Sequence, residues 1–131
     1  MGEDPKVLVR DYMTSPVTAI DEQESIARAQ SMMRERHIRH LPVTRKGQLV
    51  GVVSERDIFL LLSLSGLSAE DEPVEEAMSD VPFTVSPEMP LGAVAREMAL
   101  RKYGSAIVVE GGHIVGIVTT VDLLRSLAEG A

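Results

Sequence analysis

The sequence predicts a mixed α+β fold built from two β-α-β-β-α repeats. The first observation behind this is a repeated phrase. Leu49-Val50-Gly51-Val52-Val53-Ser54-Glu55-Arg56-Asp57 returns as Ile114-Val115-Gly116-Ile117-Val118-Thr119-Thr120-Val121-Asp122. The second is a shared register. A spacing of 65 residues separates Gly51 from Gly116 and Asp57 from Asp122, and it also joins Val9 to Val74, Met13 to Met78, Met33 to Met98 and Gly47 to Gly112. Such self-similarity at a fixed period marks an internal duplication. The third is that each half shows the same order of short strand, amphipathic helix, hairpin and helix.

The expected organisation is a lead-in over residues 1–8, a first repeat over 9–65, an acidic linker over 66–73 and a second repeat over 74–131. In the first repeat, residues 9–13 read as a helical turn that Ser15-Pro16 breaks. Residues 17–20 (Val17, Thr18, Ala19, Ile20) read as a brief strand. Asp21 with Glu24 three residues on reads as a helix N-cap with a capping box. The helix that follows sets Ile26, Ala29 and Met33 on one face. Residues 40–44 and 49–54 form a hairpin about Lys46-Gly47. The second of these strands is apolar at nearly every position, as strands buried on both faces are. Ser54 then opens a helix over 55–65, and Gly66 ends it. That helix, rich in Ile58, Phe59, Leu60, Leu61, Leu62 and Leu64, is apolar almost all round and needs cover on every side. A second copy of the chain is expected to supply part of that cover.

The second repeat follows the same order. A helical turn over 74–78 leads to a strand at Phe83, Thr84 and Val85. Ser86-Pro87 reads as an N-cap with proline at the first helical position. The helix then runs through Leu91, Val94, Ala95 and Met98. The hairpin of 105–109 with 114–119 turns on Gly111-Gly112, whose glycines suit positive φ. Thr119 opens the last helix, with Leu123, Leu124 and Leu127 on its apolar face.

Composition narrows the function. The chain has 131 residues, 44% of them apolar. A half of this size buries only about 60% of its surface, so the two halves are expected to share one core. No apolar run approaches the ~20 residues that span a bilayer, and no secretory signal opens the chain, so a cytoplasmic protein with no membrane partner is expected. There is no cysteine, which removes disulfides and thiol chemistry. The net charge of −7, with two Tyr, two Phe and no Trp, argues against nucleic acid as a partner, for which a basic stripe and stacking rings are expected.

Residues 34–46 gather five of the 13 basic residues, Arg34, Arg36, Arg39, Arg45 and Lys46, with His37 and His40. One reading is a solvated helix end, where cations suit the dipole. The other is an anion site fed by Arg39 and His40. The two histidines have no third ligand in view, so no metal site is expected. Ser54-x-x-Asp57 and Thr119-x-x-Asp122 also have two readings: capping boxes with Asp in the usual Glu or Gln position, or ligand sites. No catalytic carboxylate pair, nucleophilic triad, phosphate loop or metal cluster stands out, and no enzymatic activity is expected.

Taken together, Met13-Thr14-Ser15-Pro16-Val17-Thr18, His40-Leu41-Pro42-Val43 and the doubled Gly-to-Asp phrase resemble a tandem CBS-domain pair, the module named after cystathionine β-synthase. The resemblance covers nearly the whole chain. It implies two repeats packed about a pseudo-twofold axis, pairs that dimerise, and clefts between repeats that bind adenosine compounds: AMP, ADP, ATP or S-adenosylmethionine. It implies a regulatory, energy-sensing module without a required cofactor that controls a separate, unknown protein. The competing expectation is a dimeric interaction scaffold with vestigial clefts.

Carried over residue by residue, the resemblance gives ribose to Asp57 and Asp122. It gives phosphate to Ser54, Arg56, Thr119, Arg39 and His40, at a helix start that is ready for anions. It gives adenine to Thr18, Ala19, Ile20, Pro42, Thr84, Val85, Gly104 and Ser105. Gly51 and Gly116 are expected to leave room for close backbone approach. The chain also departs from the family pattern Gly-x-x-Pro before the first hairpin strand. Arg39 replaces the glycine in repeat one, Ile107 replaces the proline in repeat two, and Val121 stands opposite Arg56. The two sites are therefore expected to differ, with the Asp57 site more suited to phosphate and the Asp122 site to less charged ligands.

Overall fold

The computed structural model describes residues 6–130. Residues 1–5 of the expected lead-in, and Ala131, lie outside the described residues. The elements are α1 (Val9–Tyr12), β1 (Ile20–Asp21), α2 (Ile26–Arg36), β2 (His40–Arg45), β3 (Gln48–Ser54) and α3 (Glu55–Ser65). A 3₁₀ turn (Val74–Glu76) follows. Then come β4 (Thr84–Val85), α4 (Leu91–Arg101), β5 (Ser105–Glu110), β6 (His113–Thr119) and α5 (Thr120–Ala128). There are two sheets of three strands, ordered β1-β2-β3 and β4-β5-β6. In each, the first pair is parallel and the second is an antiparallel hairpin. The mixed α+β class and the repeat pattern are as the sequence predicts.

The chain divides into two compact units. One holds the described residues up to Val17 and those from Phe83 onward; the other is Thr18–Pro82. The short turn that precedes each repeat thus belongs to the unit of the other repeat. In the first unit, Val9 N donates to Met89 O (2.9 Å) and Leu91 N to Val7 O (2.9 Å). In the second, Val74 N donates to Glu24 O (2.8 Å) and Ile26 N to Glu72 O (2.9 Å). These bonds satisfy amides that a helix start leaves without partners.

The expectation of one shared core is not met. Two apolar clusters form, one per unit: one is centred on Ile26, Leu41, Val43, Val53 and Ile58, the other on Leu91, Val94, Val108 and Val118. Each is completed by the borrowed turn, since Val74 and Val9 are fully buried in their respective clusters.

Several local expectations shift for nonlocal reasons. β1 begins at Ile20, and residues 17–19 precede it without pairing, because only Ile20 and Asp21 find partners, Val43 and Thr44. Asp21 is the end of that strand and not the N-cap. Its side chain accepts from Gln23 N (2.9 Å), and Glu22 N donates to Thr44 O (2.8 Å), keeping the chain extended. Ser25 caps α2 instead, its Oγ accepting from Arg28 N (3.1 Å). Likewise α4 starts after Pro90, not after Ser86, because Pro87 O and Met89 O are taken by the amides of Arg10 and Val9. β3 lies at a sheet edge, with Val50 and Val52 only half-buried; β2 is the central and more buried strand.

The hairpin turns are as expected. Lys46 and Gly47, and Gly111 and Gly112, all have positive φ, the backbone of a two-residue turn that matches strand twist. Gly66 ends α3 with φ 70°. The strand glycines allow the close backbone approach expected of them. A Cβ on Gly51 would lie 2.5 Å from Ser79 O and 2.7 Å from Met78 Sδ; on Gly116 it would lie 2.7 Å from Met13 Sδ. The close approach is made by the chain's own segments, bridged as Val52 to Ser79 and Thr14 to Ile117. Gly51→Ala must push backbone aside, and overpacking of this kind costs about 1–3 kcal/mol. A lowered urea midpoint with unchanged slope is the expected result, read by chemical denaturation.

Candidate functional site

Two strand-to-helix corners carry the candidate residues, one in each unit. In the Thr18–Pro82 unit, the hairpin register sets His40 opposite Ser54 and Pro42 opposite Val52. Ser54 then caps α3. Its Oγ accepts from Asp57 N (3.0 Å), and Asp57 Oδ2 accepts from Ser54 N (3.3 Å). The capping-box reading is therefore correct as local structure, and it also fixes where the carboxylate sits. Among the described residues, no donor reaches the other oxygen of Asp57. Arg39 O accepts from Glu55 N (2.9 Å), which places Arg39 at the same corner. With the amides of Glu55 and Asp57 already bonded, side-chain donors (Arg39, Arg56 and the Ser54 hydroxyl) carry more of any anion binding than the helix backbone does.

The adenine candidates separate by burial. Ile20 belongs to the apolar cluster and Pro42 is fully buried, so neither presents a side chain. Thr18 and Ala19 are half-buried and unpaired in the sheet. Of the basic segment, only Arg39 and His40 reach this corner. Arg34 and Arg36 are exposed in the last turn of α2. Arg45 instead grips the buried Glu22, with Nε on Oε2 and Nη2 on Oε1 (3.0 Å).

The corner in the other unit is built alike and furnished differently. Ser105 lies opposite Thr119. Asp122 Oδ2 accepts from Thr119 N (2.8 Å) and Thr119 Oγ1 (3.3 Å). Its Oδ1 accepts from Thr14 Oγ1 (3.1 Å) and pairs with Arg125 Nη2 at 3.6 Å. Asp122 is only 5% exposed. Arg125 also donates to Tyr12 O (2.8 Å) and stands 5.5 Å above the Tyr12 ring, whose hydroxyl donates to Glu129 (3.0 Å). Val85 and Ser105 are buried, while Thr84 and Gly104 are exposed.

The sequence reading did not single out Thr14, Arg125, Tyr12 or Glu129. The 65-residue spacing contained the signal. It pairs Arg125 with Leu60, Tyr12 with Ala77 and Glu129 with Leu64, polar against apolar at each step. The expected apolar face of α5 is also turned. Asp122 and Ser126 are buried, whereas Leu124 and Leu127 are 58% and 69% exposed. Asp122 is held inward by Thr14, and Ser126 shares the Asp122 face one turn on. In α3, only Ile58 is fully buried; Phe59 and Leu64 are 67% and 84% exposed.

A CBS domain model matches residues 9–64 and again 74–129. The chain belongs to the CBS-domain family. It is similar to the CBS domain-containing protein YhcV of Bacillus subtilis (strain 168), at 31% identity over 88% of this chain and 81% of that protein. It is also similar to part of the A-adding tRNA nucleotidyltransferase of Aquifex aeolicus (strain VF5), at 35% identity over 95% of this chain and 15% of that enzyme. Among solved structures, the CBS domain pair of protein MJ0100, in complex with 5′-methylthioadenosine and S-adenosyl-L-methionine, matches with TM-score 0.86 and 28% identity, covering 95% of this chain and 98% of that one. CBS pairs are regulatory ligand-binding modules, and the similar proteins named as enzymes are multi-domain, with the CBS pair as one part. No helix among the described residues is long and apolar enough to cross a membrane.

Electrostatics at the Asp57 corner give a pH signature. Burial pushes His40 below its ordinary pKa of 6.5; Asp57 and Glu55 pull it up and Arg39 pulls it down, but burial prevails. The unfolded chain then binds a proton at higher pH than the folded one, so stability rises with pH across the interval between the two values. Acidification below 6.5 should lower the urea midpoint until the depressed folded value is passed, and His40→Asn should remove that slope. The Arg45 hydrogen bonds hold Glu22 below its ordinary 4.5. Its contribution is present above 4.5 and lost only as pH falls further.

Proposed function

We propose that the chain is a ligand-sensing regulatory module that binds an adenosine compound (AMP, ADP, ATP or S-adenosylmethionine) and controls a separate protein without chemistry of its own. One observation carries this: the Asp57 carboxylate is fixed by its cap, keeps an oxygen without a donor among the described residues, and lies beside Ser54, Arg39 and His40. A charged acceptor suits the paired hydroxyls of a ribose, since bonds to ionised groups are the strong ones. Arg39, Arg56 and the Ser54 hydroxyl supply donors for phosphate, and the half-buried Thr18–Ala19 backbone offers an edge for the base. The adenosyl ligands of the similar CBS pair from protein MJ0100 support the same ligand class.

The exposed apolar residues Phe59, Leu64, Val121, Leu124 and Leu127 support self-association of the module through α3 and α5. Sedimentation equilibrium tests this: a monomer at every concentration would contradict it. The same residues favour a second reading, an interaction scaffold that binds no nucleotide. Thermal unfolding with AMP, ATP and S-adenosylmethionine separates the two. Ligand at 100 times its dissociation constant stabilises by about 2.7 kcal/mol, and a flat response to all three selects the scaffold. Asp57→Ala should weaken binding by about 1.5–3 kcal/mol, the scale of hydrogen bonds to a charged group. Titration calorimetry measures this loss, and unchanged affinity would remove Asp57 from the ribose role.

A further inference from the structure

The two corners share one backbone plan and differ in what stands around the acid. In the unit that contains α5, Asp122 is enclosed. Its four acceptor directions meet Thr119 N, Thr119 Oγ1, Thr14 Oγ1 and the Arg125 guanidinium, and a carboxylate offers about four lone-pair sites. Arg125 is held in turn by Tyr12 O and the face of the Tyr12 ring, and the Tyr12 hydroxyl is tied to Glu129. A ribose diol has to displace at least one of these groups to reach the acid.

Moved by 65 residues, the same positions read Ser79 for Thr14, Leu60 for Arg125, Ala77 for Tyr12 and Leu64 for Glu129. None of these contributes a side-chain donor to Asp57 among the described residues. At these counterpart positions the other unit has an open hollow, lined by Asp57, Leu60, Leu61, Leu64, Glu76 and Ala77, among others. Alanine and leucine there are shorter or apolar where tyrosine and arginine stand in the other unit.

We infer that Tyr12, Arg125 and Thr14 form a built-in plug on Asp122, so that each chain takes one adenosine compound, at Asp57, and not two. This rests on the nucleotide reading above and sets its stoichiometry. The plug residues are positioning residues: they act by occupying the acid, not by touching a ligand.

The test is calorimetric titration of the full chain with AMP. The parent should take up one AMP per chain, and Asp57→Asn, which keeps a capping acceptor, should weaken that uptake about tenfold or more. The double variant Tyr12→Ala/Arg125→Leu gives the α5 unit the residues of its counterpart and should raise uptake toward two. A melting curve checks its fold. If it does not fold, the reverse transplant Leu60→Arg/Ala77→Tyr serves, with loss of AMP uptake and a retained cooperative melt expected. Two AMP per chain in the parent, or AMP bound by Asp57→Asn with undiminished affinity, overturns the inference and leaves the nucleotide reading standing. No uptake by the parent sinks the nucleotide reading and this inference with it.

Discussion

An aspartate at the third position of a helix folds back on the amide of the residue that caps it, and this contact recurs at both strand-to-helix corners. It satisfies an amide that the helix would otherwise leave unbonded. In α5, Asp122 and Ser126 face inward and Leu124 and Leu127 outward; in α3, Phe59 and Leu64 are exposed. The same bond thus fixes where a charged acceptor sits, beside an apolar surface left for another molecule. Structural and functional readings of the Ser/Thr-x-x-Asp phrase are therefore not alternatives. The cap holds the acid still, and a fixed acid is what a directional ligand contact requires.

The two corners share one plan and differ in the residues around the acid. The corner with His40, Arg39 and Asp57 has charge at hand and an acid with room beside it. The corner with Asp122 has spent its acid on Thr14 and Arg125. The glycines at the middle of β3 and β6 belong to the common plan. Each lets a methionine-bearing segment from the turn before the opposite repeat cross the strand at a distance that no Cβ permits. Those segments complete two small cores, where the size of each half alone argued for a single one.

What was legible in the sequence was what neighbouring residues decide. Lys46-Gly47 and Gly111-Gly112 specify their turns by φ, Ser54 and Gly66 bracket α3, and the 3.6-residue spacing of Ile26, Ala29 and Met33 marks the buried face of α2. What was not legible depended on partners far along the chain. Asp21 has the chemistry of a cap, yet pairing with Thr44 keeps it in a strand. Ser86-Pro87 looks like a helix start, yet backbone bonds to residues 9 and 10 delay the helix to Leu91. The candidate acids, serine and threonine were visible because they recur in register. The plug on Asp122 was not, because it lies in the positions where the two repeats differ, and a search for recurrence passes over these.

The account turns on Asp57 as the acid that receives a ligand's sugar. The most direct measurement is a crystal structure of the chain grown with AMP. The account predicts both ribose hydroxyls within hydrogen-bonding distance of Asp57, with Asp122 still bonded to Thr14 and Arg125. AMP bound elsewhere, with Asp57 engaged only by Ser54, would contradict it.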